Sequence, residues 1–210
     1  MTKKYNSVLI IGMGLIGSSI SRALVENHVA NSVYGLDTND KIIKKCHDLN
    51  LLVQGETNLK NFDLQFDLVI ICTPLSAYKN IFSSLSDFIS QPTLITDVGS
   101  TKMSTISDFK KTVTNNNITF VPSHPIAGLE KSGPEYGFSK LFDNRYCILT
   151  PYEKNDAATS SITEMWKSIG MTVELMEADR HDRVLAMTSH IPQLIAFSVV
   201  GTATELESHM

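Results

Sequence analysis

SVLIIGMGLIGSS, residues 7–19, joins a short apolar run to three glycines spaced as G-x-G-x-x-G. The apolar run ends at Gly12 and has the length of a strand buried on both faces, whereas Ile16, Ile20 and Leu24 recur at helical spacing. A strand, a glycine turn and a helix in this order predict a dinucleotide-binding βαβ unit.

Each part of this turn has a predicted task. Gly12 allows the tight turn, Gly14 lets a pyrophosphate approach the backbone, and Gly17 lets the helix pack against the strand. The helix N-terminus, at Leu15 and Ile16, offers free N–H groups and a partial positive charge. We therefore predict that these five residues bind the cofactor.

An acidic residue completes the pattern. Asp37 ends the second strand-like run, twenty residues after Gly17, where a carboxylate accepts hydrogen bonds from the ribose hydroxyls. It would repel a 2′-phosphate, and the next three residues supply no arginine to bind one. The sequence predicts NAD as the cofactor rather than NADP.

The rest of the chain alternates strand and helix patterns. Apolar strand-like runs occupy residues 7–12, 32–37, 66–74, 92–100, 118–125, 146–151 and 171–177. Helical spacing separates most of them, which indicates an α/β fold with a mostly parallel sheet, that is, a Rossmann-type domain over residues 1–178. Residues 179–210 are expected to begin an all-helical domain that is truncated here, with Pro192 kinking or restarting the helix.

Composition narrows the function classes. The net charge of −4 carries no basic cluster of the kind that binds nucleic acid, and no run of about 18 apolar residues suits a membrane span. Three cysteines without a C-x-x-C pair favour a reducing compartment, so we expect a cytoplasmic protein. No metal site is predicted.

Several strand ends carry candidate functional side chains. Thr73 and Pro74 end one strand and are candidates for lining the cofactor site, although they could simply terminate it. Ser100 and His124 end the next two, where they could meet at a bound substrate with the histidine as general base. A lone histidine at a strand end is more often structural.

Two further candidates have simpler explanations. Glu130 and Lys131, in the long loop over residues 126–145, could be a solvated pair. His190 could be a buried core residue of the terminal helical region.

Five motifs in order give the chain a family resemblance: GMGLIGSS, TPLSAY, TDVGSTK, SHPIAGLEKSG and SHIPQLIAF. Together they resemble the prephenate/arogenate dehydrogenase family of tyrosine biosynthesis, most closely its bacterial cyclohexadienyl type. The resemblance implies a Rossmann domain, a C-terminal helical dimerisation domain and a homodimer. It also implies NAD-dependent oxidative decarboxylation of prephenate to 4-hydroxyphenylpyruvate, or of arogenate to tyrosine.

The resemblance also assigns roles to residues. It implies that His124 takes the proton of the substrate 4-hydroxyl, that Ser100 orients that hydroxyl and His124, and that His190 and Glu130 contribute to the substrate pocket. Two departures stand out: the arginine that binds the substrate carboxylates in the family lies beyond residue 210, and Gln193 stands where members often place a histidine. Because of Gln193, the preference between prephenate and arogenate stays open.

Two other functions remain possible at this stage. A β-hydroxyacid dehydrogenase would share the Rossmann domain but needs a lysine in the helical domain, and no candidate is visible. A non-catalytic NAD-binding regulatory module would keep the glycines and Asp37 without needing Ser100 and His124 together.

Overall fold

Six parallel strands form the central sheet of the computed structural model, which describes residues 4–208. They are β1 (Tyr5–Ile11), β2 (Ala30–Leu36), β3 (Gln54–Glu56), β4 (Leu68–Ile71), β5 (Thr93–Asp97) and β6 (Ile118–Phe120). Their spatial order, β3-β2-β1-β4-β5-β6, reverses direction between β1 and β4, which is the switch point of a Rossmann fold. The predicted fold class is confirmed.

Helices cover both faces of this sheet. Five belong to this part of the chain: α1 (Leu15–Glu26), α2 (Asp40–Asp48), α3 (Tyr78–Phe88), α4 (Met103–Thr112) and α5 (Asp156–Ser168). Alternate residues of β1 enter different core clusters, with Val8 and Ile10 in the cluster that includes α1 and Leu9 and Ile11 in the one that includes α3. Burial on both faces explains why the central strands are continuous apolar runs.

A second, three-stranded sheet corrects one prediction. Residues 118–125 do not form one strand, because the chain leaves the central sheet after Phe120 and starts β7 (Ser123–Pro125). Between them lies Pro122, which has no N–H group to extend the parallel ladder. The new strand pairs antiparallel with β8 (Tyr146–Leu149), which pairs parallel with β9 (Thr172–Leu175).

The C-terminal region is helical, as predicted. It comprises α6 (Ala178–Leu185), a π-helical segment (Ala186–His190) and α7 (Ile191–Ser208). The helical run continues through Pro192, and the irregularity before it is this π segment. Pro192, in the first turn of α7, has no N–H group for one carbonyl of the preceding turn. The helical region begins at Ala178, while the domain boundary after residue 178 stays a prediction.

One helical run changes the sequence-based expectation about membranes. The run Ala178–Thr202 contains an 18-residue window of mean hydropathy 1.5 and is long and apolar enough to span a membrane by length and composition. No uninterrupted apolar stretch of that length is present, but the average over the window tolerates Ser189, His190 and Gln193 inside it. A helix at the core of a helical domain has the same composition.

Two glycines of the first turn are fixed by backbone geometry. Gly12 has φ +95°, and a Cβ atom there would lie 2.8 Å from the Cys72 carbonyl group, so the β1 turn passes directly against β4. A Cβ on Gly17 would collide with the Gly12 carbonyl oxygen. A Cβ on Gly14 would meet no atom within 4 Å. The turn therefore has no room for a side chain at its first and third glycines, whereas the second glycine has free space around it.

This difference predicts opposite effects of the same substitution. Gly17→Ala should lower the free energy of unfolding by about 1–3 kcal/mol, because the new methyl group overpacks α1 against β1. Gly14→Ala, the matched control, should change it by less than about 1 kcal/mol, the usual scale for a helix N-cap position. Urea unfolding of both variants measures this, and equal losses would contradict the close contact at Gly17.

Candidate functional site

A large cavity lies at the carboxyl edge of the central sheet. Its volume is about 980 Å³, and five of the predicted cofactor residues line it: Gly12, Gly14, Asp37, Thr73 and Pro74. The other three, Leu15, Ile16 and Gly17, belong to the first turn of α1 behind the loop. The structure thus brings the glycine loop and the ends of β2 and β4 together around one space, and cofactor binding by each residue stays a prediction.

Asp37 is held against the glycine loop. Its Oδ2 atom accepts a hydrogen bond from the Met13 backbone N–H at 2.9 Å, and its Oδ1 atom accepts one from the Asn39 N–H at 2.9 Å. The Gly12 N–H donates to the Leu36 carbonyl at 2.8 Å. These bonds fix the carboxylate beside the turn, in the wall of the cavity that Gly14 also lines.

The cavity fits a polar ligand. The Thr73 hydroxyl oxygen is buried and has no hydrogen-bond partner in the described residues, although it lies in the wall of the cavity. A buried hydroxyl without a partner is costly, and a bound ligand with polar atoms would satisfy it. Together with the open space over Gly14, this donor set suits a dinucleotide.

A buried ion pair joins this edge of the sheet to the second sheet. Lys102 Nζ lies 2.6 Å from Asp97 Oδ2 and donates a second hydrogen bond to the Ser123 carbonyl at 2.6 Å, and both charged side chains are fully buried. Asp97 Oδ1 also accepts from the Ser123 N–H at 3.0 Å. Ser123, at the start of β7, is therefore fixed to the carboxyl end of β5.

His124, the next residue, stands at the head of a hydrogen-bonded chain. Its Nδ1 atom is 3.0 Å from His181 Nε2, and His181 Nδ1 is 2.8 Å from Asp182 Oδ1. Asp182 in turn accepts the backbone N–H groups of Lys102 and Met103, at 2.8 and 2.9 Å. Two residues of α6 thus connect the histidine to the first turn of α4.

The environment keeps His124 neutral. Burial lowers the pKa of His124 to about 3, and the charges of Lys102, His181 and His190 act in the same direction, while Asp182 opposes them. Burial also lowers the pKa of His181. A neutral imidazole near pH 7 is the form that can accept a proton.

Ser100, His190 and Glu130, the other predicted site residues, differ in their exposure and contacts. Ser100 is exposed and forms no side-chain hydrogen bond in the described structure, and His124 contacts His181, so the predicted role of Ser100 toward the substrate hydroxyl and His124 stays a prediction. His190 is half-buried and close enough for its charge to act on the pKa of His124. Glu130 is exposed, and Lys131 lies over the Tyr136 ring, 4.9 Å from its centre, rather than beside Glu130. The substrate roles of these residues stay predictions.

Sequence reasoning missed three residues at the site: Lys102, His181 and Asp182. Lys102 and Asp97 lie in the TDVGSTK motif, but a lysine after a turn usually faces solvent, so nothing local indicated a buried pair. His181 and Asp182 lie over 50 residues after His124, and only the packing of α6 against α4 joins them. The adjacent His-Asp pair at the start of a helical region was the one available signal.

The fold and the site define an NAD-dependent oxidoreductase of the Rossmann class. A Gly-rich turn and a carboxylate share a cavity, and a half-buried neutral histidine lies at the same edge of the sheet. A family model described as "Prephenate dehydrogenase, nucleotide-binding domain" matches residues 20–175. The chain belongs to the prephenate dehydrogenase family.

Individual relatives agree with this assignment. The chain is 35% identical over 204 residues to a cyclohexadienyl dehydrogenase of Zymomonas mobilis, covering 97% of this chain and 69% of the relative. It is 32% identical over 202 residues to a prephenate dehydrogenase of Bacillus subtilis, covering 95% of this chain and 54% of the relative. Thus it spans about half to two thirds of the length of these proteins.

A solved structure is similar throughout the chain. Prephenate dehydrogenase from Aquifex aeolicus, in complex with hydroxyphenyl propionate and NAD+, superposes with a TM-score of 0.87 at 34% identity. The match covers 94% of this chain and 68% of that one.

The depressed histidine pKa predicts acid sensitivity. His124 has a pKa of about 3 when folded and an ordinary value of 6.5 when unfolded, so between these pH values the unfolded chain binds the extra proton. The free energy of unfolding should therefore fall as pH drops below 6.5, by about 1.4 kcal/mol per pH unit for one proton. Urea unfolding at pH 7, 6 and 5 should show a shallower loss for His124→Asn. His47→Asn, which removes an exposed histidine, should follow the wild type, and parallel slopes for all three would contradict the assignment.

Proposed function

We propose that the protein oxidatively decarboxylates prephenate, arogenate or both, with NAD as hydride acceptor, in tyrosine biosynthesis. The observation that carries this proposal is the position of neutral His124 at the same sheet edge as the cavity formed by Gly14, Asp37 and Thr73. The Aquifex aeolicus relative, crystallised with NAD+ and hydroxyphenyl propionate, supports the pairing of this cofactor with a ring-bearing ligand.

The reaction requires a base at the ring hydroxyl. His124 Nδ1 is occupied by His181, whereas Nε2 has no hydrogen-bond partner in the described part of the chain and can accept the hydroxyl proton. NAD held at the cavity would supply the acceptor for the hydride that leaves the carbon carrying this hydroxyl. Breaking the bond to the ring carboxylate releases carbon dioxide and leaves its electron pair in the ring. The ring becomes aromatic, and His124 can return the proton to the phenolic oxygen.

The protein's own residues would hold the cofactor and substrate. Asp37 would bind the ribose hydroxyls, Gly14 would leave room for the pyrophosphate, and the Thr73 hydroxyl would gain its missing partner. Ser100 and Glu130 are exposed, so a bound substrate could reach both; Ser100 would orient the substrate hydroxyl and His124, and Glu130 would contribute to the substrate pocket. His190 would contribute to the substrate pocket beside His124.

We also propose a cytoplasmic homodimer joined through the helical region. The three cysteines are free, as expected in a reducing compartment. Large apolar side chains of α7 are more than half exposed: Leu194, Ile195, Phe197, Val199 and Val200. Such a patch is typical of an interaction surface. Sedimentation of the complete protein would test the proposal, and a monomer at micromolar concentration would contradict it.

An NADH assay with the product of the complete reading frame tests the reaction. Absorbance of NADH should rise when prephenate or arogenate is added with NAD. His124→Asn should lower turnover by about 100-fold or more, because general-base catalysis typically contributes that much. Ser100→Ala should cause a smaller loss, and Lys154→Ala, an exposed residue outside the site, should cause none. Near-normal turnover of His124→Asn would refute the assignment of the base.

Cofactor choice gives a separate test. The wild-type chain should bind NAD at least about 10-fold more tightly than NADP, a difference of about 1.4 kcal/mol, because Asp37 repels the 2′-phosphate. Asp37→Asn should narrow this ratio, while Asp40→Asn, an exposed residue at the start of α2, should leave it unchanged. Calorimetric titration of both cofactors measures the ratio, and tighter binding of NADP by the wild type would overturn the assignment.

A further inference from the structure

We infer that His181 and Asp182 are positioning residues that hold His124 in one tautomer, with its proton on Nδ1 and its lone pair on Nε2. The tautomer follows from hydrogen bonds within the chain. Its consequence for catalysis rests on the proposed function and is tested separately below.

Asp182 is the fixed end of this series of hydrogen bonds. Both of its carboxylate oxygens accept backbone N–H groups at the start of α4, from Lys102 to Oδ1 at 2.8 Å and from Met103 to Oδ2 at 2.9 Å. Burial alone would raise the pKa of Asp182, but these hydrogen bonds outweigh it and hold the pKa below its usual range. An ionised carboxylate only accepts hydrogen bonds, so the third contact, 2.8 Å from His181 Nδ1, requires the proton on that nitrogen.

The next link fixes His124. His181 is fully buried, and burial favours its neutral form, which carries a single proton. Because that proton lies on Nδ1, its Nε2 atom is an acceptor. The partner 3.0 Å away, His124 Nδ1, must therefore donate. A neutral His124 with its proton on Nδ1 has the lone pair on Nε2, the nitrogen without a partner in the described residues.

The groups packed around the two rings support this arrangement. Lys102, from the start of α4, directs its ammonium to Asp97 Oδ2 and the Ser123 carbonyl, so it acts on the histidines as a charge and not as a hydrogen-bond donor to them. Its charge, like that of His190 from the π-helical segment, disfavours a second proton on His124. Asp182 provides the compensating negative charge next to His181.

This chain of contacts suits a base that must accept and return a proton. When Nε2 takes up the proton, Nδ1–H continues to donate to His181, so the ring need not rotate during turnover. The wrong tautomer would place a proton on Nε2 and could not accept one from a hydroxyl group. Fixing the tautomer of a base through a buried histidine and carboxylate follows the same logic as the third member of a hydrolytic triad.

The tautomer can be measured directly and without substrate. Long-range ¹H–¹⁵N spectra of the ¹⁵N-histidine-labelled chain at pH 7 distinguish protonated from unprotonated ring nitrogens, and His124→Asn assigns the signals. We expect His124 protonated on Nδ1 and His181 protonated on Nδ1. An Nε2-protonated His124, or an equal mixture of tautomers, would overturn the inference whether or not the protein is a dehydrogenase.

Two variants of His181 separate positioning from packing. His181→Gln places an acceptor near the former Nε2 position and should keep the His124 tautomer, whereas His181→Asn keeps the contact to Asp182 but leaves His124 Nδ1 without its acceptor. We expect a mixed His124 tautomer in His181→Asn and a single one in His181→Gln. His47→Asn, the exposed control, should leave the His124 signals unchanged. Identical tautomers in all variants would reduce His181 to a packing residue.

The effect on catalysis is tested by steady-state kinetics of the His181 variants. His181→Asn should lower kcat by about 10-fold or more with a change in the substrate KM of less than about 3-fold, and His181→Gln should recover part of the loss. The acidic limb of the pH profile of kcat/KM should move in His181→Asn, which a loss of packing alone would not produce. Unchanged kcat and pH profile in His181→Asn would overturn the catalytic consequence. If the wild type forms no NADH, the proposed function is wrong. The inference about the tautomer is then still decided by the ¹H–¹⁵N spectra.

Discussion

The buried ion pair between Lys102 and Asp97 is the contact on which the site depends. Both side chains are fully buried, and taking two charges out of water is costly unless hydrogen bonds satisfy them. Here Asp97 also accepts the Ser123 N–H, and Lys102 also donates to the Ser123 carbonyl. The two charges therefore hold both backbone groups of the residue before His124. Removing one partner of such a pair typically costs about 3–5 kcal/mol, because the other charge stays buried alone.

The same contacts join the second sheet to the central one. The central sheet ends at β6, and β7 turns away to pair with β8, but Ser123 remains tied to β5 through Asp97. The Ser123 hydroxyl donates to the Asp97 carbonyl and accepts from the Trp166 indole at 3.1 Å, so α5 also packs on this joint. His124, the next residue of β7, is thereby held near the carboxyl end of β5. The long loop before β8 is anchored separately, through the Phe138 N–H to Ser19 on α1.

The sequence identified the parts of the fold that short-range chemistry decides. A glycine with positive φ, a buried strand and a carboxylate at the next strand end are local features, and the cavity around Gly12 and Asp37 agrees with them. The change of sheet at Pro122 was missed because an apolar run does not indicate which neighbour it pairs with. The hydrogen-bond partner of His124 was not predicted, because it comes from α6. That contact depends on how a distant helix packs, and no spacing in the sequence encodes it.

The attachment of α6 has a mechanical consequence. Asp182 binds the first turn of α4 and His181 binds His124, so α6 is fixed to the nucleotide-binding unit, whereas the side chains of α7 are exposed. Between them lies the π-helical segment Ala186–His190, which interrupts the regular α-helical hydrogen bonding of this run. His181 and Asp182 lie one turn before this segment, on the part of the helical run that is attached to the nucleotide-binding unit. The hydrogen bonds that orient His124 therefore all come from residues that precede α7, and the surroundings of α7 do not enter into them.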